Sequence, residues 1–186
     1  MKYAWEHKSN KGAERTLLNF GITLLDLLKE KSFEKITIKE ICNKANYPRA
    51  TFYNYFEDKY DLLEFYFDFL LKNSGFHEYL ENDISTYEVF DKLYDYLKQY
   101  KDDIKSILVF NEQDGELVHY SRRFIRNIIL EKMKDSHFKN NQIPYEIISE
   151  HYVNTLELII KWSFIVDKPI KKEEANKYLK YFLNLY

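Results

Sequence analysis

Apolar residues recur at helical spacing along almost the whole chain, and strand-like alternation is scarce. Leu17, Leu18, Phe20, Leu24, Leu25 and Leu28 predict a first helix over about Lys11–Lys29. Gly21 inside it costs roughly 1 kcal/mol relative to Ala, which is acceptable if it allows close packing against the helix-turn-helix. Thr37 and Glu40 form an S/T-x-x-E capping box, so a second helix is expected to start at Ile38. Ile38, Ile41 and Ala45 then share one face, and small Ala45 lets another helix cross closely. Asn46 tolerates the left-handed conformation that ends a helix. Pro48 cannot continue that helix but fits the first turn of the next, which should reach Tyr55. Phe52 and Phe56, four apart, face inward. Arg49, Ala50, Thr51, Tyr53 and Asn54 are left outside. A helix, a tight turn and a short helix with a polar outer face make a helix-turn-helix, whose natural ligand is the DNA major groove.

The pattern continues through a larger helical body. A connecting helix is expected from about Asp58 to Asn73, with Leu62, Leu63, Tyr66, Phe69 and Leu70 inward. Further helices are expected at Thr86–Lys101, Asp103–Val109, Glu116–Lys134, Pro144–Val166 and Lys172–Leu185. Asp135–Ile143 is polar and should be a loop. The fold class is therefore all-α, with a head at 1–57 and a helical regulatory and dimerisation body at 58–186. Apolar residues cover most of the circumference of the C-terminal half of the 144–166 helix, so more than one face must be buried. The final helix carries an i, i+3, i+4, i+7 stripe. Two such hairpins would form a twofold four-helix interface, with Leu156, Ile159, Ile160, Trp162, Tyr178 and Phe182 as its candidate residues. Burial in the subunit's own core is the competing reading.

Charge sharpens the division. The chain as a whole carries −2, but residues 1–56 hold 10 Lys and Arg against 6 Asp and Glu. A basic head on an acidic body is the footprint of a protein that meets phosphate at one end. Cys42 is the sole cysteine, which excludes an intramolecular disulfide and fits a small core residue of the first helix-turn-helix helix. No run approaches the ~18 consecutive apolar residues of a membrane span. The N-terminal Met1-Lys-Tyr-Ala-Trp-Glu-His-Lys has no apolar signal core, so the expected location is the cytoplasm.

The stretch from Phe33-Glu-Lys-Ile-Thr-Ile-Lys-Glu-Ile-Cys-Asn-Lys-Ala through Arg49-Ala-Thr-Phe-Tyr-Asn-Tyr-Phe-Glu-Asp-Lys-Tyr-Asp-Leu-Leu63 resembles the N-terminal domain of the tetracycline-repressor (TetR) family. The similarity covers residues 15 to 63. Its specific parts are the Thr-x-x-Glu-Ile start, the Thr-Phe-Tyr-x-Tyr-Phe core and the following Asp-Lys-x-x-Leu. The C-terminal part is more loosely similar to the C-terminal domains of Firmicutes-type members. The resemblance implies a three-helix DNA-binding head, a ligand-responsive helical body and a homodimer on a pseudo-palindromic double-stranded operator. It also implies a DNA surface made of Thr37, Pro48, Arg49, Ala50, Tyr53, Asn54, Tyr55 and Lys59, to which the outward face of the second helix adds Thr51. Within that set Arg49 suits a guanine edge and Ala50 a close approach to a thymine methyl. Lys59, Thr37 and the two tyrosines suit phosphate. Tyr55 could equally pack within the head. Two residues depart from the family pattern: Asn46 stands where Gly is usual, and Pro48 where Ser or Thr is usual.

Other classes find little support. The five histidines are scattered, and Glu116-x-x-His119 is a lone Glu-x-x-His, whereas a carboxylate di-metal bundle needs two. Gly-rich phosphate loops, H-E-x-x-H and G-x-S-x-G are missing from the sequence. No catalytic residue, metal ligand or cofactor is therefore expected. Arg122, Arg123 and Arg126 could hold an anionic effector or simply form a solvated face. Phe69, Phe76, Tyr94, Tyr96, Phe110, Tyr120 and Phe124 could line an effector cavity or fill the core. The regulator is expected to act as a repressor under a small-molecule effector of unidentified structure. An adaptor that keeps the fold but binds protein instead of DNA is the alternative.

Overall fold

The computed structural model describes residues 11–73, 86–111, 115–134, 143–166 and 168–183. Among them all regular structure is helical. The elements are α1 (Lys11–Leu28), a 3-10 turn (Phe33–Lys35), α2 (Ile38–Ala45), α3 (Arg49–Tyr55), α4 (Lys59–Asn73), α5 (Thr86–Gln99), α6 (Lys101–Phe110), α7 (Glu116–Lys134), α8 (Tyr145–Phe164) and α9 (Lys172–Leu183). The expected helices are present with ends shifted by one or two residues, and the break between α5 and α6 falls at Tyr100. Most of the expected 135–143 loop, together with Phe76 and Leu185, lies outside the described residues.

The chain forms two compact units. The first comprises residues up to Asn73 together with Ser106–Val118. The second comprises 74–105 and 119–186.

In the first unit α1 buries Leu17, Phe20, Leu24, Leu27 and Leu28 and packs on α2 and α4. Phe20 is the centre of an aromatic cluster. Its ring meets Phe52 edge-on at 5.4 Å and Phe56 at 6.2 Å, and Phe56 meets Phe65 of α4 at 5.5 Å. These are the tilted and edge-to-face geometries that the ring quadrupole favours. Asp58 starts α4 by accepting hydrogen bonds from the backbone N–H groups of Tyr60 and Asp61, both at 2.9 Å. Gly21 is buried against α4, not against the helix-turn-helix. A Cβ added there would lie 2.4 Å from Cδ2 of Tyr66.

The second unit packs α9 on α8 and α5. Its core holds Phe90, Tyr94, Ile159, Phe164, Ala175 and Leu179, with Leu156, Ile160 and Phe182 packed at its edge. The Lys172 ammonium at the start of α9 sits 2.8 Å from both Asp91 and Asp95 of α5. The Lys172 ammonium and the Asn176 amide hold the Asp91 carboxyl below the usual carboxylate range.

The Gly21–Tyr66 approach sets the α1–α4 separation. Gly21→Ala should destabilise the protein by about 1–3 kcal/mol, the overpacking penalty, although Ala is the better helix former by about 1 kcal/mol. Denaturant unfolding of the two proteins checks this. A stabilised variant would mean that Tyr66 gives way freely.

Candidate nucleic-acid interface

The geometry of the helix-turn-helix is fixed by local bonds that the sequence encodes. Thr37 is the N-cap of α2. Its hydroxyl accepts from the Glu40 N–H at 3.3 Å, while the Thr37 N–H donates to the Glu40 carboxylate at 2.9 Å. The same carboxyl group pairs with Lys31, so Lys31 first and Thr37 second hold it down at about 2. Asn46 ends α2 at φ 58°, the single left-handed non-glycine residue among those described. Tyr47 N–H closes back on the Cys42 carbonyl at 3.0 Å, a Schellman ending. The Tyr47 ring then rests on Phe20 at 5.2 Å. Asn19 of α1 donates to the Ala45 carbonyl at 3.3 Å, filling another open acceptor at that end. Asn46 thus does what Gly does elsewhere at such turns, at a conformational cost that Asn keeps small.

Pro48 is the N-cap of α3 and makes no side-chain cap bond, so the hydroxyl that Ser or Thr would supply is missing here. α3 has seven residues, of which Phe52 alone is buried. A helix this short is unstable by itself, so the anchoring of Phe52 and of the adjoining Phe56 holds it in place. The consequence is an outward row of Pro48, Arg49, Ala50, Tyr53 and Asn54, all exposed, flanked by half-buried Thr51 and Tyr55. The Arg49 guanidinium leans over the Tyr53 ring at 5.9 Å and reaches its hydroxyl at 3.4 Å. Tyr55 lies against Phe56 at 6.4 Å. Thr37 is exposed at the start of α2.

Lys59 is placed differently from the phosphate contact expected of it. Its ammonium donates to the carbonyls of Phe33, Glu34 and Ile36 at 2.8, 3.1 and 3.2 Å, and it lies 4.5 Å from the centre of the Phe33 ring. All three hydrogens are committed to the open carbonyls of the 3-10 turn. In this structure Lys59 fastens that turn. Sequence reasoning also passed over Lys39 and Asn43, which are exposed on α2. Helical spacing from the buried Ile41, Cys42 and Ala45 would have found them. Cys42 is a buried core residue, and burial pushes its thiol up.

The other candidate groups are dispersed. Arg122 pairs with Glu157 and Arg126 with Glu150, so two members of the arginine cluster are neutralised in place. Arg123 covers the Tyr120 ring at 4.9 Å. The aromatic residues considered for one effector cavity are divided between the units, and Tyr94 belongs to the core of the second. Ile159 is likewise inside that core at 3% exposure, which removes it from the candidate partner-facing set. Trp162 and Tyr178 are exposed, at 50% and 40%. No group of three or more His, Cys, Asp or Glu fit to hold a metal occurs among the described residues. No helix among them is long and apolar enough to cross a membrane.

A three-helix unit whose second and third helices form this turn, with a polar outer face, is the helix-turn-helix class of DNA-binding head. Residues 24–65 match the family described as "Bacterial regulatory proteins, tetR family". Over 41 residues, 22% of this chain, the sequence is 46% identical to the uncharacterized HTH-type transcriptional regulator YxbF of Bacillus subtilis (strain 168), and that stretch spans 11% of the relative's length. A solved structure from Syntrophomonas wolfei str. Goettingen, described as a "Putative TetR-family transcriptional regulator", superposes with a TM-score of 0.59. The superposition covers 91% of this chain and 93% of that one, at 21% identity, and shows a shared fold. The helix-turn-helix segment of this chain is thus similar to the TetR family over residues 24–65, and the all-helical fold around it is TetR-like.

The capping box makes acid sensitivity local. Because the Glu40 carboxyl is held at about 2 against an ordinary 4.5, the stability it contributes is complete above 4.5 and is lost as pH falls towards 2. Glu40→Gln should flatten that part of the acid-unfolding curve. Thr37→Ala should cost about 1 kcal/mol at neutral pH. Circular dichroism across pH 6 to 2 distinguishes these outcomes from a cap that contributes nothing.

Proposed function

We propose that the protein is a DNA-binding transcriptional regulator, acting as a repressor, that reads a pseudo-palindromic operator as a homodimer. The observation that carries this reading is the outward row Arg49, Ala50, Tyr53 and Asn54 on a helix anchored from behind by Phe52. Arg49 presents a planar fork suited to the O6 and N7 edge of guanine. Ala50 keeps the helix surface low there, so that the backbone approaches the base pairs closely. Tyr53, Tyr55, Thr51 and the N-terminal end of α2 at Thr37 supply hydroxyl and backbone donors for phosphate, with Lys39 adding charge. Lys59 contributes by holding the turn that leads into α2. A cytoplasmic location is part of the proposal.

The second copy is assigned to the outer side of the α8–α9 hairpin. Leu158 and Trp162 lie one turn apart on α8 and are 44% and 50% exposed. Tyr178 and Tyr181 of α9 are exposed as well. Leu156, Ile160 and Phe182 are half-buried and pack at the edge of the subunit's own core. Exposed Trp and Tyr side chains of this kind are the ones that most often anchor interfaces. Control by a small molecule in the helical body is part of the proposal. Such an effector acts only so far as it binds one spacing of the two heads better than the other.

The adaptor alternative predicts a head indifferent to DNA. Fluorescence anisotropy against the DNA upstream of the protein's own gene separates the two. Selective binding should weaken as salt rises, with a log–log slope of about −0.9 per phosphate contact. The Arg49→Ala, Tyr53→Ala variant should lose at least about tenfold in affinity on that duplex. Equal binding by the variant would favour the adaptor. For the interface, Trp162→Glu should weaken dimerisation in sedimentation by at least about 30-fold. An unchanged association would move the interface elsewhere.

A further inference from the structure

The turn between α1 and α2 is held by a residue far away in sequence. Asn111, 3% exposed at the end of α6, accepts from the Phe33 N–H through Oδ1 at 2.8 Å. Its Nδ2 donates to the Leu28 carbonyl at 3.2 Å and to the Ile107 carbonyl at 2.8 Å. Leu28 is the last residue of α1 and Phe33 the first of the 3-10 turn, so one amide fills an open acceptor and an open donor at two element ends. The assignment of oxygen and nitrogen follows from the partners, because a flipped amide would face a donor with donors and two carbonyls with an oxygen. Close by, the Glu116 N–H donates to the Glu34 carboxylate at 2.8 Å, and the Tyr60 hydroxyl donates to the Glu116 carboxylate at 2.5 Å.

Phe33 is therefore fixed on three sides. Asn111 holds its N–H, Lys59 its carbonyl, and Tyr60 packs edge-on to its ring at 5.1 Å. The turn it begins runs through Ile36 directly into Thr37, the cap of α2. We propose that Asn111 is a positioning residue for DNA reading. It sets the entry of α2, and through the tight turn at Asn46 the placement of α3, while touching no DNA itself. This inference rests on the DNA-binding reading above.

The test uses the full chain. The wild type is first selected against a random duplex pool, and its affinity is measured for the selected duplex and for a scrambled one. Asn111→Ala and Asn111→Asp follow, the second keeping size while setting an oxygen against two carbonyls. Folding is checked by circular dichroism, and the Phe33 amide by hydrogen exchange. The expected result is a folded protein with faster Phe33 exchange and a roughly 3- to 30-fold loss of affinity on the selected duplex. Affinity for the scrambled duplex should not change, a split that a merely stabilising role would not produce. Should both variants fail to fold, Tyr60→Phe, which removes the hydrogen bond to Glu116, whose N–H in turn holds Glu34 of the same turn, should show the same split on a smaller scale. Faster Phe33 exchange with both affinities at the wild-type level would overturn the inference, as would Tyr60→Phe without the split where it alone folds. A wild type that selects no duplex would instead overturn the DNA reading, and this inference with it.

Discussion

The head depends on the packing of Phe20 against Phe52 and Phe56. α3 is too short to persist alone and offers one buried side chain, so its orientation is whatever the aromatic cluster imposes. Phe20 brings α1 to that cluster and Phe65 brings α4, while Tyr47 lays the α2–α3 turn on the same ring. Edge-to-face packing is directional as well as apolar. It specifies the angle at which the outward row is presented, and close-packed surroundings leave that angle little freedom. Removal of Phe52 would cost the cluster its link to the recognition helix and leave Arg49 and Tyr53 without a support.

Much of this is legible in the chain because the determinants are local. A capping box spans four residues, a helix-ending Asn and a Pro at the next start lie two apart, and Phe52 and Phe56 sit one turn apart. These features are enough to define the helix-turn-helix and its outer face. Leu27 and Phe65 are buried without having been expected there, because both helices carry more apolar residues than one stripe can hold. Periodicity then does not say which will be buried. The partner of Gly21 also differs from the expected one. A glycine signals close approach, but the sequence does not name what approaches.

What stays hidden depends on distance along the chain. Asn111 meets Phe33 across 78 positions, and nothing about an Asn after an apolar run announces a bond to a turn so far upstream. Lys59 is similar: a lysine at the start of a helix beside a basic head reads as a phosphate ligand. The nearby carbonyls of the 3-10 turn take its three hydrogens instead. The apolar surface of α8 is legible in amount but not in allocation. Ile159 goes to the subunit's own core and Trp162 to the outside, a division fixed by how α5 and α9 pack.

Everything proposed for this protein requires that its head read DNA sequence. Selection of genomic fragments by the purified full chain, followed by sequencing, tests it whatever the operator turns out to be. The expected result is enrichment of a small set of fragments sharing an inverted repeat, with half-site centres about one helical turn or a multiple of it apart. Recovery of fragments in proportion to the input, with no shared repeat, would contradict it.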